Sequence, residues 1–254
     1  MKIISIVNPK GGAAKTVSAV NISYALVNRG YKTLLIDTDP RGSVEIYLGL
    51  NNKNTIFELI KEQYEFFNIQ DLQKYITNKN GLDIITSNFN ISKIDKYFDT
   101  DIESELDSIS DIKYLFQNYD YVIFDTEGTV NNLTKAILKV TDYIFTPTQT
   151  SNIDINGIRD LLNTFKISKR KNHNLEVKKI FIVRAKTNTN AYKNFKEQLK
   201  KYFSENQFSN VSIREDQNII NSMGEKLDIF NYKNSSNAAI DYRNFVDEFL
   251  EEIN

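Results

Sequence analysis

Residues 3–16 read IISIVNPKGGAAKT, and this stretch decides the fold class. Its first five residues form a short apolar run typical of a strand buried on both faces. The glycine pair Gly11 and Gly12 follows, and apolar residues recur at helical spacing from Val17 onward. A glycine-rich turn between a strand and a helix points backbone N–H groups at a phosphate. The stretch therefore indicates an α/β protein with a candidate phosphate-binding loop.

The same alternation of apolar runs and helical spacing continues along the chain. It predicts a mainly parallel β-sheet flanked by helices on both faces, with ligands at the carboxyl ends of the strands. Residues 51–80 are polar and are interpreted as an insertion, and no linker is visible, so residues 1–254 are predicted to form a single domain. The further predicted strands are 33–36, 82–86, 121–124, 143–146 and 179–183.

Composition excludes several kinds of site. The chain has no cysteine and one histidine, so disulfides, thiolate zinc sites and iron–sulfur clusters are excluded. The short apolar run at the N-terminus is no signal peptide, and no stretch approaches the roughly 18 apolar residues of a membrane span. A soluble, cytoplasmic protein is predicted.

Lys15 and Thr16 stand where a phosphate-binding loop places its chemistry. Lys15 would reach the β- and γ-phosphates, and the Thr16 hydroxyl would bind Mg²⁺. The strict pattern G-x-x-x-x-G-K-[ST] is not met, because Pro9 and Ala14 occupy its glycine positions. A Gly-Gly turn before a helix can also be purely structural.

Carboxylates follow two of the predicted strands directly. Asp37 and Asp39 come after the second apolar run, and Asp125 comes after the fourth. At that edge of the sheet they can hold Mg²⁺, usually through water, opposite Thr16. Each could instead begin a turn or cap a helix, roles in which aspartate is common. Three such residues in the right order after the Lys-Thr turn favour the metal site.

Three segments together carry a family resemblance. Residues 10–16 read KGGAAKT, residues 37–43 read DTDPRGS, and residues 125–126 read DT. They resemble the motifs of the ParA/MinD group of P-loop ATPases, whose deviant Walker A loop carries a second, signature lysine, here Lys10. The chain is most similar to small plasmid-type ParA partition proteins. Further segments that fit are 146–149, 183–187 and 232–249.

The resemblance implies an ATP- and Mg²⁺-dependent ATPase that forms a homodimer in the ATP state. Lys10 would cross to the partner's nucleotide, as an arginine finger does, so that hydrolysis depends on dimerisation. Asp39 would orient the attacking water, and Lys15 would contact the phosphates. These three are the implied catalytic residues. The alternative for Lys10 is a solvated loop lysine.

The resemblance also implies the binding residues. Thr16 would bind Mg²⁺, with Asp37 and Asp125 holding it through water. The candidate nucleotide-binding residues are Lys10, Gly11, Gly12, Ala13, Ala14, Lys15, Thr16 and Val17, with Arg184 and Ile213 added as candidate base contacts.

Two departures from the family pattern leave a second function open. Ala14 replaces the usual glycine before the P-loop lysine and would strain the turn if the backbone there needs a positive φ. Glu127 and Gly128 replace the usual Pro-Pro, and Glu127 could contact water or magnesium or face solvent. The alternative is a nucleotide-binding switch or scaffold with weak ATPase activity in conjugative transfer or cargo positioning. An ATP-dependent small-molecule synthetase is less favoured, because no second polar cluster is apparent.

Charge is distributed unevenly although the net charge is only −1. Residues 164–203 hold twelve basic and two acidic residues, whereas residues 95–127 hold ten acidic and two basic ones. A basic surface can bind DNA without sequence preference, but charge runs are often only solvated faces. The resemblance favours nonspecific DNA and a ParB-like or centromere-binding adaptor, hence nucleoid association. The candidate DNA-binding residues, expected on one side of a helix, are Lys193, Lys196, Lys200 and Lys201.

The C-terminal stretch reads as a helix from residue 235 to 254, with Ile240 expected on its inner side beside Ala239 and Phe245. Residues 241–254 carry five acids and one arginine, so an anionic membrane would repel them, and no membrane partner is expected. The chain starts at the first strand, so no N-terminal helix-turn-helix domain is expected.

Overall fold

A computed structural model describes residues 1–66, 69, 71–96, 112–150 and 154–253. The strands in these ranges are β1 (Lys2–Ile6), β2 (Thr33–Asp37), β3 (Thr77–Lys79), β4 (Leu82–Ile85), β5 (Tyr121–Asp125), β6 (Tyr143–Thr148), β7 (Glu176–Ala185) and β8 (Ile213–Arg214). These eight strands form one sheet in the order β3-β4-β2-β5-β1-β6-β7-β8. All adjacent pairs are parallel except β3 and β4, which form an antiparallel hairpin.

Helices cover both faces of the sheet, as the sequence predicts. The helices are α1 (Lys15–Val27), α2 (Ser43–Leu48), α3 (Ile56–Phe66), α4 (Asn132–Val140), α5 (Asp154–Lys169), α6 (Asn190–Leu199), α7 (Gln217–Gly224), α8 (Ile229–Lys233) and α9 (Asn237–Ile253). On one face α1, α2, α8 and α9 pack around a core that includes Ile4, Leu35 and Phe245. On the other face α3 and α4 pack against β2 and β5, and α5 and α6 against β6 and β7.

The register of the central strands brings their carboxyl ends level. Ile6 at the end of β1 is paired with Asp125 at the end of β5, and Asp37 at the end of β2 is paired with the same Asp125. The segments that follow these three strands therefore meet at one edge of the sheet, where a ligand site is expected.

The C-terminal helix α9 confirms the predicted element but corrects one residue. Ala239, Tyr242 and Phe249 lie on its buried side, whereas Ile240 is 36% exposed, so its predicted inward position is wrong. The reason is helical periodicity, because Ile240 shares its stripe with Arg243 at i+3 rather than with the aromatic residues. In the described ranges, none of the helices has the length and apolar character needed to cross a bilayer.

Candidate nucleotide site

The loop between β1 and α1 has the geometry of an anion-binding turn. Gly12 has φ +76°, and Ala14, at the N-cap of α1, has φ +57° and ψ +32°. The sequence analysis expected strain at Ala14 if its backbone needed a positive φ, and Ala14 does have a positive φ. The Ala14 side chain caps no N–H group, so the first-turn N–H groups of α1 are available to a phosphate.

Two side chains from outside α1 hold the loop in place. The Asn8 amide nitrogen donates to the Pro147 carbonyl at 2.8 Å, and the Asn8 amide oxygen accepts from the Lys10 backbone N–H at 2.9 Å. Gln149, just after β6, donates to the Gly12 carbonyl at 2.7 Å. These contacts fix the loop backbone from the end of β6, a role that the sequence did not assign to Asn8 or Gln149.

Lys15 is buried beneath this loop. Its ammonium donates to the Lys10 carbonyl at 3.2 Å. Burial lowers the pKa of Lys15, while the nearby charges of Asp125 and Asp39 act in the opposite direction. A desolvated ammonium facing carboxylates at the start of a helix is suited to bind phosphate oxygens.

Thr16 and Asp125 form a direct contact at the predicted metal site. The Thr16 hydroxyl donates to Asp125 Oδ2 at 2.6 Å. Asp37 lies beside them, with its two oxygens accepting from the backbone N–H groups of Asp39 and Val44 at 2.9 and 3.0 Å. The structure thus brings together all three residues that the sequence predicts for Mg²⁺.

The donor chemistry fits a magnesium ion. Asp125 Oδ1 is buried and, among the described residues, has no hydrogen-bond partner. Burial raises the pKa of Asp125 to about 7 and, with the charge of Asp125, raises that of Asp37 well above its usual range. Ionising both of these buried carboxylates is unfavourable, and a cation bound beside them would stabilise their charged forms. No cluster of three or more acidic or histidine side chains suited to a metal occurs in the described ranges, so phosphate and water oxygens would complete the shell.

Asp39 lies at the same edge and is held by a neighbour. Its carboxylate accepts the Arg41 backbone N–H and Nε at 2.9 and 3.1 Å through Oδ1, and Nη2 at 2.8 Å through Oδ2. Burial raises the pKa of Asp39, but these bonds outweigh burial and lower it. The sequence motif contained Arg41, yet nothing in the sequence indicated this fork.

An open cavity of about 530 Å³ borders the N-terminal end of α1. Ala14, Val17, Arg184 and Ile213 all line it, so the predicted base contacts lie near the loop. Arg184 has φ +50°, an unusual conformation for an arginine and one that often marks a functional site. The cavity has room for a nucleoside beside the phosphate loop.

Comparison with known proteins identifies the family. A family model described as "AAA domain", AAA_31, matches residues 1–177. The chain belongs to this family, as a ParA/MinD-type P-loop ATPase. It is 28% identical over 214 residues to the sporulation initiation inhibitor protein Soj of Bacillus subtilis, covering 83% of each chain.

Solved structures agree with this assignment. A protein of Borrelia burgdorferi B31, named as a plasmid partition protein and crystallised with AMPPNP, is 27% identical with a TM-score of 0.76 and covers 99% of each chain. Cobyrinic acid a,c-diamide synthase of Mycobacterium smegmatis, solved with ADP and magnesium, is 19% identical with a TM-score of 0.82, covering 100% of this chain and 95% of that one. The latter likeness shows the fold alone.

In this ParA/MinD-type chain the unusual segment after β5 lies against the P-loop. A side-chain carbon added at Gly128 would be 3.5 Å from the Gly11 Cα and 3.6 Å from the Lys15 ammonium. Glu127 accepts a hydrogen bond from the Thr129 hydroxyl. Gly128 thus lies next to the phosphate loop, at a distance where a side-chain carbon would make ordinary van der Waals contact with it.

Two of the candidate DNA-binding lysines lie on α6, and the other two directly follow it. Lys193 and Lys196 are on the helix, Lys193 exposed and Lys196 half-buried, whereas Lys200 is its C-cap and Lys201 lies in the following turn. The prediction that all four share one side of a helix is therefore wrong, because the helix ends at Leu199. Lys200 also contacts Glu197 and Glu205 at 3.3 and 3.6 Å.

Part of the basic stretch of residues 164–203 is buried. Lys179 is 1% exposed and forms ion pairs at the end of α9 with Glu248, at 2.6 Å, and Glu252, at 2.5 Å. Lys178 lies 3.5 Å from the same Glu252. The acidic counterpart, residues 95–127, is described only in part, since 97–111 lie outside the described residues.

Proposed function

We propose that this chain is an ATP-dependent, dimerising switch of ParA type that binds nonspecific DNA and supports plasmid or chromosome segregation. The observation that carries the proposal is the meeting of Lys15, Thr16 and Asp125 beneath the loop from residue 8 to residue 14. ATP would place its phosphates on that loop and its nucleoside in the adjoining cavity. The plasmid partition protein of Borrelia burgdorferi that was solved with AMPPNP supports the same reading.

Magnesium fits the corner formed by Thr16, Asp37 and Asp125. The Thr16 hydroxyl would bind the ion, and the two carboxylates would hold its water ligands. When bound, the ion neutralises charge on the β- and γ-phosphates. Lys15 adds a fixed positive charge on the same side.

Hydrolysis requires a positioned water and positive charge on the transferring phosphoryl group. Asp39, in the segment that follows β2, is the residue proposed to orient the water. Lys10 is proposed to reach the nucleotide of a second copy, so that turnover depends on the homodimer. The backbone N–H of Lys10 donates to the Asn8 side chain, which fixes the start of the loop that carries Lys10.

DNA binding by the ATP dimer would rest on phosphate contacts from the basic residues of α6 and the turn after it. Lys193 and Lys201 are exposed there. Contacts of this kind are independent of sequence and weaken steeply with salt. A ParB-like or centromere-binding adaptor would stimulate hydrolysis, and the ATP state would associate with the nucleoid.

The proposal is tested with purified protein by three measurements. These are ATP turnover, the oligomeric state by light scattering with AMPPNP and Mg²⁺, and a mobility shift on random-sequence DNA at low salt. We expect Lys15→Ala to abolish nucleotide binding and Lys10→Ala to abolish dimerisation and turnover while nucleotide still binds. Lys53→Ala, an exposed lysine outside the site, is the matched control. An AMPPNP-bound protein that stays monomeric and does not shift DNA contradicts the proposal.

One observation favours the second candidate, a nucleotide-binding switch with weak ATPase activity. Ala14 holds φ +57° in a position where glycine would be unstrained. Its methyl group can limit how closely phosphates approach. Brisk turnover by the natural sequence, further stimulated by DNA, would remove this candidate.

A further inference from the structure

Arg41 holds the carboxylate that the proposed mechanism needs free. Its guanidinium contacts both oxygens of Asp39, and in the described part of the chain the carboxylate accepts three hydrogen bonds, all from Arg41. A carboxylate engaged in a two-pronged bond with a guanidinium is a weakened acceptor for a water proton. From the sequence motif alone, the Asp39 carboxylate would be expected to be free to accept a hydrogen bond from water. In the structure this carboxylate is hydrogen-bonded to Arg41.

The contact joins a buried group to an exposed one. The Asp39 side chain is 5% exposed and that of Arg41 is 72% exposed. Asp39 is therefore fixed by the end of β2, while the guanidinium can leave into solvent or toward another acidic group. The guanidinium also interacts electrostatically with Glu127, Asp125 and Lys15, so it lies within the field of the proposed phosphate site.

We propose that Arg41 is a positioning residue that acts as a latch on Asp39, holding unstimulated ATP turnover low until the fork opens. This inference rests on the proposed function of Asp39. An acidic or phosphate group supplied by a partner would compete for the exposed guanidinium and release the carboxylate. Release of Asp39 by Arg41 would then be the regulated step in ATP hydrolysis.

The substitution Arg41→Gln tests the latch. It removes the guanidinium but keeps the backbone N–H bond to Asp39 that shapes the turn. We expect unstimulated kcat to rise about two- to fivefold, the factor that corresponds to an exposed ion pair, with KM for ATP unchanged. Arg41→Lys restores one charged contact, so its kcat should lie between that of the natural protein and that of Arg41→Gln. Arg29→Gln removes another arginine–aspartate pair, with Asp247, at the opposite end of α1 and should leave kcat unchanged.

A spectroscopic measurement tests the fork independently of activity. The Arg41 Nε–H signal in a ¹⁵N correlation spectrum is identified by its loss in Arg41→Gln. It should shift in Asp39→Asn, which abolishes the charged partner, and an unchanged signal overturns the proposal. A kcat that is unchanged or reduced in Arg41→Gln also overturns it. If the natural protein hydrolyses no ATP at all, the proposed function fails, while the spectrum still decides whether the fork exists.

Discussion

The Thr16 hydroxyl donates a hydrogen bond of 2.6 Å to Oδ2 of Asp125, which lies 109 residues further along the chain. The contact exists because β1 and β5 are parallel neighbours with Ile6 in register with Asp125. It joins the first turn of α1 to the end of β5, so it holds the hydroxyl and the carboxylate of the proposed metal corner together.

The paired carboxylates predict how the stability of the nucleotide-free protein depends on pH. The folded-state pKa of Asp125 is raised to about 7 and that of Asp37 is raised well above its usual range, mainly by burial. A raised carboxyl pKa contributes stability that is present below the unfolded pKa of about 4 and is lost as pH rises through about 7. Chemical denaturation at pH 6 and pH 8 should show the higher free energy of unfolding at pH 6.

Replacing one carboxylate should remove much of that dependence. Asp125→Asn keeps an oxygen acceptor for Thr16 and should raise the free energy of unfolding at pH 8 by roughly 1–3 kcal/mol. It should also remove the stabilisation by Mg²⁺ and AMPPNP. Asp71→Asn is the control, because Asp71 is an exposed N-cap residue and asparagine caps equally well. A variant with an unchanged pH dependence contradicts the assignment of these groups.

Ala14→Gly should improve the phosphate loop. A non-glycine residue in the left-handed region costs about 1–2 kcal/mol, partly offset by the greater chain entropy of glycine. We expect up to about 1 kcal/mol higher free energy of unfolding and tighter AMPPNP binding by titration. Asn80→Gly, at φ +50° in the β3–β4 hairpin, is the control that relieves strain elsewhere and should leave AMPPNP affinity unchanged. Equal affinities for all three proteins would contradict the link between Ala14 and nucleotide binding.

Gly42 ties the Asp37–Asp39 segment to the end of β4. It has φ +61°, and a side-chain carbon there would lie 2.8 Å from the Ser87 carbonyl oxygen. Gly30 has φ +84° with no atom within 4 Å of the same carbon. Both alanine variants acquire conformational strain, but only Gly42→Ala forces the backbone apart, adding about 1–3 kcal/mol of destabilisation. Thermal or urea unfolding that ranks Gly30→Ala as the more destabilised variant would refute this contact.

The sequence predicts the six longer strands because each has an apolar run, and it misses β3 and β8. Those two strands have three and two residues and are held by pairing with β4 and β7 rather than by their own pattern. The site residues on the central strands are predictable because the carboxyl ends of parallel strands meet at one edge. The Arg41 fork is not, since it depends on a side-chain conformation.

Lys179 shows what counting charges overlooks. A count of charges groups it with surface lysines, yet the period of two in β7 places it on the same face as Phe181 and Val183, toward α9. On that helix Glu248 and Glu252 are four residues apart, and both accept hydrogen bonds from the Lys179 ammonium. The alternation of side chains along the strand, together with two acidic residues at i and i+4 on the helix, could have indicated from the sequence that Lys179 is buried.

Lys179→Met should therefore destabilise the protein strongly. Removing the buried ammonium leaves two carboxylates that are 15% and 35% exposed without it, which costs about 2–4 kcal/mol, less than for a fully buried pair. Lys178→Met, which removes the more distant neighbour of the same Glu252, should cost less than half as much. Urea denaturation of the two variants gives the comparison. Similar destabilisation of both would show that the Lys179 pair contributes no special stabilisation.

The proposed DNA surface is tested by the salt dependence of binding. Replacing Lys193, Lys196 and Lys201 together with glutamine should weaken binding to random DNA in the AMPPNP state. It should also lower the slope of log K against log salt by about 0.9 for each DNA phosphate that the variant no longer neutralises. Lys200 is left in place because it contacts Glu197 and Glu205.

A matched variant separates local contacts from net charge. Lys53, Lys93 and Lys135 are exposed on other elements, and replacing these three with glutamine removes the same total charge. If long-range attraction alone draws DNA to the protein, both triple variants lower the slope equally. We expect a reduced slope only for the α6 variant, because the cations condensed on DNA are released only where lysines contact its phosphates. Fluorescence anisotropy over a range of salt concentrations measures both slopes.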